Sequence, residues 1–117
     1  MDHMKILHIS ELNKNVQNGQ LIMVLGWIEN YLPQDGGKAK LFSTESENMF
    51  AFLCLSGCGL VDVAEHTLCR VIGRFYLRNN GLEIKVCSLK AVSSWKYYTF
   101  SQIIEKQRSL MMKHKDY

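Results

Sequence analysis

Cysteine and histidine are two residue types in this chain that can bind a metal ion, and a cysteine thiolate can also act as a nucleophile. Two of the four cysteines, Cys54 and Cys58, are spaced C-x3-C, whereas Cys69 and Cys87 stand alone in separate apolar segments. A structural zinc site typically uses paired C-x2-C knuckles, and this sequence has none. We therefore expect no metal and no other cofactor, and we interpret the cysteines as small buried hydrophobic residues of a reducing compartment.

The sequence contains no recognisable catalytic motif. The four histidines are scattered, and they occur without an H-x-E, a G-x-S-x-G or a phosphate-binding glycine loop. Asp62 and Glu65 have the spacing of a solvated helix face more than that of an acid–base pair. The sequence thus predicts a protein that binds rather than catalyses, with no catalytic residue to name.

Composition and charge limit the class of protein further. The chain has 117 residues, of which 47% are hydrophobic and 21% charged, which suits one packed core. No apolar run approaches the ~18 residues that span a bilayer, and the N-terminus has no signal-peptide pattern. We expect one soluble, intracellular domain over residues 1–117 and no membrane contact.

The charge is small in total but uneven along the chain. Residues 1–65 contain four Lys/Arg and eight Asp/Glu, whereas residues 66–117 contain ten and three, so the halves carry −4 and +7. A net charge of +3 argues against a histone-like binder that depends on counterion release alone. A local basic face that holds a few phosphates and an ordinary solvated face both remain compatible with this distribution.

Five segments have the composition and alternation of β-strands. Their predicted bounds are 21–31, 39–44, 49–55, 67–77 and 82 to about 92, and a short helix is predicted near 60–65. In the fourth strand we expect Cys69, Val71, Gly73, Phe75 and Leu77 to face the core. Asn79-Asn80-Gly81 predicts a tight hairpin between the last two strands.

The order of these elements predicts the fold class. Gly26 and Gly73 lie within otherwise apolar strands, where a glycine favours a bulge or a sharp bend, and a bent strand can belong to two sheets. We predict an all-β fold, a five-stranded Greek-key barrel of the OB type over about 18–93, with a short helix between strands three and four. An SH3-like barrel is the alternative, but it is shorter and gives the C-terminal segment no purpose.

The C-terminal segment predicts one α-helix over about 99–113. Thr99 and Gln102 form a capping box, and Tyr98 and Ile103 occupy the positions of a hydrophobic staple. Apolar residues then recur with helical spacing and form one stripe along the helix. The stripe has two alternative roles: it closes one end of its own barrel, or it contacts a partner protein.

An OB barrel of this length with one C-terminal helix resembles the smallest subunits of two trimers, replication protein A and the telomeric CST complex. The resemblance covers about residues 6–115 and favours the Ten subunit of CST. It rests on four segments: Gly19–Gly26, Cys69–Arg74, Gly81–Cys87, and particularly Gln102-Ile-Ile-Glu-Lys-Gln-Arg108.

The resemblance implies a non-catalytic subunit of a nuclear, telomeric complex that protects chromosome ends and supports telomere replication. It implies that the C-terminal helix pairs with a Stn-type OB-fold subunit to form a heterodimer, which then joins the large Cdc/CTC-type subunit. The implied contact residues are Phe100, Ile103, Ile104, Gln107, Arg108, Leu110, Met111 and His114. We expect Ile104→Glu or Leu110→Glu to abolish this pairing and to leave the barrel folded. A small subunit of the replication protein A type, or another single-strand-binding OB module of replication or repair, is the alternative.

Contact with telomeric single-stranded DNA, weak for the chain alone, is a second expectation. OB barrels bind strands across their second and third strands and between two loops, with basic groups on phosphates and aromatic rings under bases. The candidate residues are Tyr31, Lys38, Lys40, Phe42, Arg74, Tyr76, Arg78 and Lys85. The alternatives are an ordinary solvated strand face and, for Phe42, a place in the core.

Overall fold

A computed structural model describes residues 3–12, 16–32, 37–46, 48–57 and 63–92, together with Gln102 and Ile104. These residues contain six strands and one 3-10 turn, Ile9–Glu11, between the first two strands. The strands are β1 (Lys5–Ile6), β2 (Leu21–Leu32), β3 (Lys38–Ser43), β4 (Phe50–Cys54), β5 (Leu68–Arg78) and β6 (Gly81–Ala91).

Five of the strands close into a barrel. They follow the order β2-β3-β4-β6-β5, and β2 pairs again with β5 to complete the ring. The β4–β6 pair is parallel, and the other pairs of the ring are antiparallel. This confirms the predicted five-stranded Greek-key barrel of the OB type. The remaining strand, β1, lies outside the ring and pairs in parallel with β2. It was not predicted, because its two residues are too few to show a periodicity.

Gly26 lets β2 serve both halves of the barrel. It pairs with Ser43 of β3 on one side and with Cys69 of β5 on the other. A Cβ atom at this position would lie 2.6 Å from the carbonyl oxygen of Phe42 and 2.7 Å from the Leu41 side chain. Glycine is therefore required for the close approach of β3, which confirms the predicted bend.

A second close approach lies at Gly73, where a Cβ atom would overlap the carbonyl oxygen of Lys85. The β5–β6 register shifts between Ile72 and Gly73, so that Cys87 of β6 is the extra residue of a bulge. Cys87 is exposed, which corrects the expectation that it is buried; Cys69 is buried and Cys54 is half-buried.

The core lies inside the barrel and is built from alternate residues of every barrel strand. Ile22, Val24 and Ile28 of β2 are fully buried, and so are Val71 and Phe75 of β5. Leu77 was predicted to join them but is 56% exposed, because β5 continues past the barrel to the hairpin at Arg78–Gly81. The alternation predicted for strands four and five is otherwise confirmed.

Two predicted helices lie mostly outside the described residues. Of the segment 60–65, only residues 63–65 are described, and they form an irregular stretch and the start of a turn. Of the segment 99–113, Gln102 and Ile104 are described, and both are helical. Gln102 is exposed, whereas Ile104 is 1% exposed within this single chain. No helix among the described residues is long and apolar enough to cross a membrane.

Replacing Gly26 by alanine tests the close approach of β3. Because the added methyl group meets a backbone oxygen that cannot move independently, we expect Gly26→Ala to lower the free energy of unfolding by about 1–3 kcal/mol. Gly57→Ala is the matched control, since its Cβ atom would lie 3.9 Å from the nearest atom, the Val86 carbonyl oxygen. Urea denaturation measures both. Equal stabilities of the two variants would contradict the requirement at Gly26.

Candidate nucleic-acid interface

Three phenylalanines form a row on the outer face of β3 and β4. The ring centroids of Phe42 and Phe50 are 5.2 Å apart, and those of Phe50 and Phe52 are 5.1 Å apart with the rings edge to face. Their outward direction follows from strand alternation, because Leu41 and Leu53 fill the core from the same strands. The row therefore places Phe42 on the surface and not in the core. We call it the phenylalanine row.

Lys40 places a positive charge on this row. Its Nζ atom lies 4.9 Å from the centroid of the Phe50 ring and 5.9 Å from that of Phe52. A cation above an aromatic face is attracted by the ring quadrupole and holds a defined position without losing its access to anions. The row and Lys40 together provide the two contacts that a single strand needs, a stacking surface for bases and a charge for a phosphate.

A second aromatic–cationic group surrounds Tyr76 on β5 and β6. The Arg78 guanidinium carbon lies 4.7 Å and the Lys85 Nζ atom 5.2 Å from the centroid of the Tyr76 ring. Arg78 Nε also contacts Glu83 Oε1 at 3.3 Å. We call these residues the Tyr76 cluster.

The phenylalanine row and the Tyr76 cluster are neighbours on the barrel surface. Glu83 of β6 pairs with Phe52 of β4 on one side and with Tyr76 of β5 on the other. A shallow pocket of about 260 Å³ lies beside them, where Phe50 and Phe52 face Asn80 and Gly81 of the hairpin. The outer surfaces of β3, β4, β6 and β5 thus form one aromatic and basic face.

Not all of the predicted DNA-binding residues belong to this face. Lys40, Phe42, Tyr76, Arg78 and Lys85 are brought together as described above, and Lys38 is exposed at the start of β3. Arg74 Nη1 donates a hydrogen bond to the Gly19 carbonyl oxygen at 2.9 Å, so its guanidinium joins β5 to the turn before β2. Tyr31 is half-buried and packs against the barrel core.

Glu65 fixes the backbone at the end of β2. Its carboxylate accepts hydrogen bonds from the backbone N–H groups of Asn30 at 3.0 Å and Tyr31 at 2.8 Å. Asn30 has a φ of 56°, and the β2–β3 register shifts between Glu29 and Leu32. The hydrogen bonds from the N–H groups of Tyr31 and Asn30 stabilise the ionised carboxylate and are the main reason that the pKa of Glu65 is lowered. The carboxylate therefore shapes the bulge from which the loop after β2 begins.

Three aromatic residues of this surface were not predicted from the sequence: Phe50, Phe52 and Trp27. The segment Phe50–Cys54 is apolar throughout, so no polar residue marks its outer face. Trp27 lies opposite Phe42 in the β2–β3 pair and is 42% exposed. It lines a groove of about 570 Å³ at the edge of the phenylalanine row. The pairing register with β3 is the signal that identifies these residues, and the sequence of one strand does not contain it.

Comparison with known proteins shows similarity of structure without detectable similarity of sequence. No protein-family model matches the chain, and neither does any curated protein sequence. Among solved structures, a chain of the S. pombe Stn1–Ten1 complex matches with a TM-score of 0.71 and 18% identity, covering 92% of this chain and 94% of that chain. The telomere capping protein Ten1 of S. pombe matches with a TM-score of 0.70 and 17% identity over 92% of this chain and 99% of its own.

The chain has the OB fold. A chain of a replication protein A heterotrimer bound to single-stranded DNA also matches, with a TM-score of 0.67 and 10% identity over 94% of this chain and 98% of its own. The resemblance to Ten and to replication protein A that the sequence suggested is therefore confirmed at the level of the fold. The matches extend over nearly the whole length of both chains, so the similarity is not that of one hairpin or sheet.

Removing the Glu65 carboxylate tests its role at the bulge. Because its folded-state pKa lies below the reference value of 4.5, its contribution to stability is complete above about that pH and is lost as the pH falls through the lowered pKa. We expect Glu65→Gln to unfold at lower urea concentration than the wild type at pH 7, and the difference to shrink toward pH 3. Glu83→Gln is the control. A difference that is constant with pH would contradict the assignment.

Proposed function

We propose that this chain is a non-catalytic OB-fold subunit of a nuclear telomere-capping complex that binds single-stranded DNA. The observation that carries the proposal is the end-to-end structural match to S. pombe Ten1, which covers 92% of this chain and 99% of that one. In this proposal the chain pairs with a Stn-type OB-fold subunit through its C-terminal helix, and the pair joins a large Cdc/CTC-type subunit at chromosome ends.

The aromatic and basic face supports the DNA-binding part of the proposal. Bases stack on the phenylalanine row, while Lys40 and the cations of the Tyr76 cluster neutralise phosphates. The face offers three rings in the row and one in the cluster, which is a short site for a flexible strand. We therefore expect weak binding by this chain alone and tighter binding when a partner subunit lengthens the track.

A small subunit of the replication protein A type is the second candidate function. It is supported by the match to a chain of the heterotrimer bound to single-stranded DNA, which covers 94% of this chain. Both candidates use the same face for DNA and the same helix for assembly. They differ in the partner, so co-purification with a Stn-type subunit or with replication protein A subunits distinguishes them.

The apolar stripe predicted for the C-terminal helix can serve both of the roles considered above, contact with its own barrel and contact with a partner. Ile104 is 1% exposed, and Leu25 and Leu68, which lie on the outer face of β2 and β5, are each 5% exposed. None of the three belongs to the cluster of residues that fills the barrel. Since Ile104 is covered within the chain, the part of the stripe that we assign to a partner is its other edge. At about 100° per residue, the helix that the sequence predicts over about 99–113 would carry Ile103 and Leu110 on that edge.

The burial of Ile104 changes what we expect of Ile104→Glu, which the sequence alone predicted to leave the barrel folded. Ile104 is 1% exposed, and a carboxylate placed there would lose its hydration, which is costly. We expect Ile104→Glu to lower the free energy of unfolding by several kcal/mol, on the order of 3 or more. Leu110→Glu should leave the unfolding midpoint near that of the wild type and abolish co-purification with a Stn-type subunit. Gln102→Glu, at an exposed position of the same helix, is the control. Normal pairing by folded Leu110→Glu would contradict the interface.

Loss of the aromatic and cationic side chains tests the DNA-binding face. Because stacking contributes ~1–3 kcal/mol per base, we expect Phe50→Ala or Phe52→Ala to raise the Kd for an oligothymidylate by about 5- to 150-fold in fluorescence anisotropy. Lys40→Ala should weaken binding and reduce the slope of log Kd against log salt by about one. Lys90→Ala is the matched control. Lys90 is an exposed cation at the opposite end of β6, where its backbone lies opposite Arg70 in the β5–β6 register. Equal effects of Lys40→Ala and Lys90→Ala would contradict the assignment.

A further inference from the structure

Trp27 lies in a groove whose charge differs from that of the DNA-binding face. The groove, which we call the Trp27 groove, has a volume of about 570 Å³. It is lined by Trp27, Glu29, Phe42, Ser43, Thr44, Glu45, Ser46 and His66. Trp27 is 42% exposed although it lies in the middle of β2, a strand in which Ile22, Val24, Leu25 and Ile28 are buried. The groove therefore offers an open aromatic surface.

The carboxylates of Glu29 and Glu45 line the groove with Trp27, and there is no lysine or arginine among the described residues of its lining. Glu29 Oε1 contacts His66 Nδ1 at 2.7 Å, and Glu45 Oε1 contacts His8 Nδ1 at 2.8 Å. Lys40 pairs with Glu29 across β2 and β3, but its ammonium group lies over the rings of Phe50 and Phe52 on β4. Each carboxylate thus contacts a histidine through its Oε1 atom, and the ammonium charge of Lys40 lies over the rings of β4.

Hydrogen bonds fix the backbone that carries both carboxylates. The Ser43 hydroxyl oxygen accepts the backbone N–H groups of Glu45 at 3.1 Å and Ser46 at 3.2 Å. On the other side of the groove, the backbone N–H of His66 donates a hydrogen bond to the carbonyl oxygen of Ile28 at 2.8 Å, and Ile28 precedes Glu29 in the chain. A site whose charged groups are held in place loses little conformational entropy when a ligand binds.

We propose that the Trp27 groove binds an arginine side chain of an extended peptide segment from a protein partner. A guanidinium group is flat, stacks on an indole and donates paired hydrogen bonds to carboxylates, which are the two chemistries that this groove presents. A phosphate strand is disfavoured at the same place, because Glu29 and Glu45 repel it. One end of the aromatic surface therefore takes protein while the Lys40 end takes DNA. This inference does not rest on the telomeric role.

An NMR titration with a defined probe tests the proposal. The probe is an acetylated and amidated Gly-Gly-Arg-Gly-Arg-Gly-Gly peptide, and the matched peptide has citrulline at both arginine positions. Citrulline retains the planar shape and removes the charge. We expect the arginine peptide to shift the indole N–H signal of Trp27, and the citrulline peptide to bind at least about tenfold more weakly.

Variants of the groove make the test specific. The double variant Glu29→Gln/Glu45→Gln should weaken binding of the arginine peptide by about tenfold, and Trp27→Leu should weaken it by a similar factor. Glu83→Gln removes a carboxylate outside the groove and should have no effect. The comparison of the two peptides uses the wild-type protein and needs no variant to fold.

Three results would overturn the proposal. The first is the absence of a Trp27 shift at about 5 mM arginine peptide, which corresponds to an interaction weaker than ~3 kcal/mol. The second is equal binding of the citrulline peptide. The third is a Trp27 shift by oligothymidylate that is as large as the peptide's and is retained in Lys40→Ala, since the groove would then belong to the DNA path. If the phenylalanine row proves not to bind DNA, the expected binding of the arginine peptide to the Trp27 groove stays the same.

Discussion

The pairing of β2 on both of its edges is the constraint on which this structure depends. β2 pairs with β5 over Leu21–Trp27 and with β3 over Gly26–Leu32, so it passes from one side of the barrel to the other at Gly26, where a Cβ atom would lie only 2.6 Å from the carbonyl oxygen of Phe42. Because the five strands close into a barrel, each side chain of a barrel strand points either into the barrel or out of it. Alternate residues of each described barrel strand fill the interior, and the residues between them form the outer surface of the barrel.

That outer surface is organised by the pairing register rather than by the sequence of any single strand. Lys40 lies opposite Phe52 in the β3–β4 pair, and Glu83 lies between Phe52 and Tyr76. Cations consequently gather over β4, β5 and β6, whereas carboxylates gather beside Trp27 on β2. A single aromatic surface thus has a basic end and an acidic end, which allows it to contact two chemically different ligands at the same time.

Much of the fold could be predicted because its signals are local. The alternation of β5 and β6, the hairpin at Arg78–Gly81 and the bend at Gly26 each follow from a few neighbouring residues. Leu77 and Cys87 were placed wrongly because burial also depends on where the barrel ends and where a bulge falls. The candidate site was predicted in part for the same reason. Lys40 and Phe42 lie in an alternating strand, whereas Phe50 and Phe52 lie in an apolar run whose outer face is defined only by its partners.

The ring also determines how the chain must be completed during synthesis. Leu21 pairs with Arg74 and Trp27 with Leu68, so one edge of β2 meets its partner only after about forty or more further residues have been made. Until β5 and β6 leave the ribosome, the first three barrel strands form an open ribbon with unsatisfied backbone groups along two edges. Such a ribbon is exposed to pairing with other chains until the non-local contacts of β2 with β5 close the barrel.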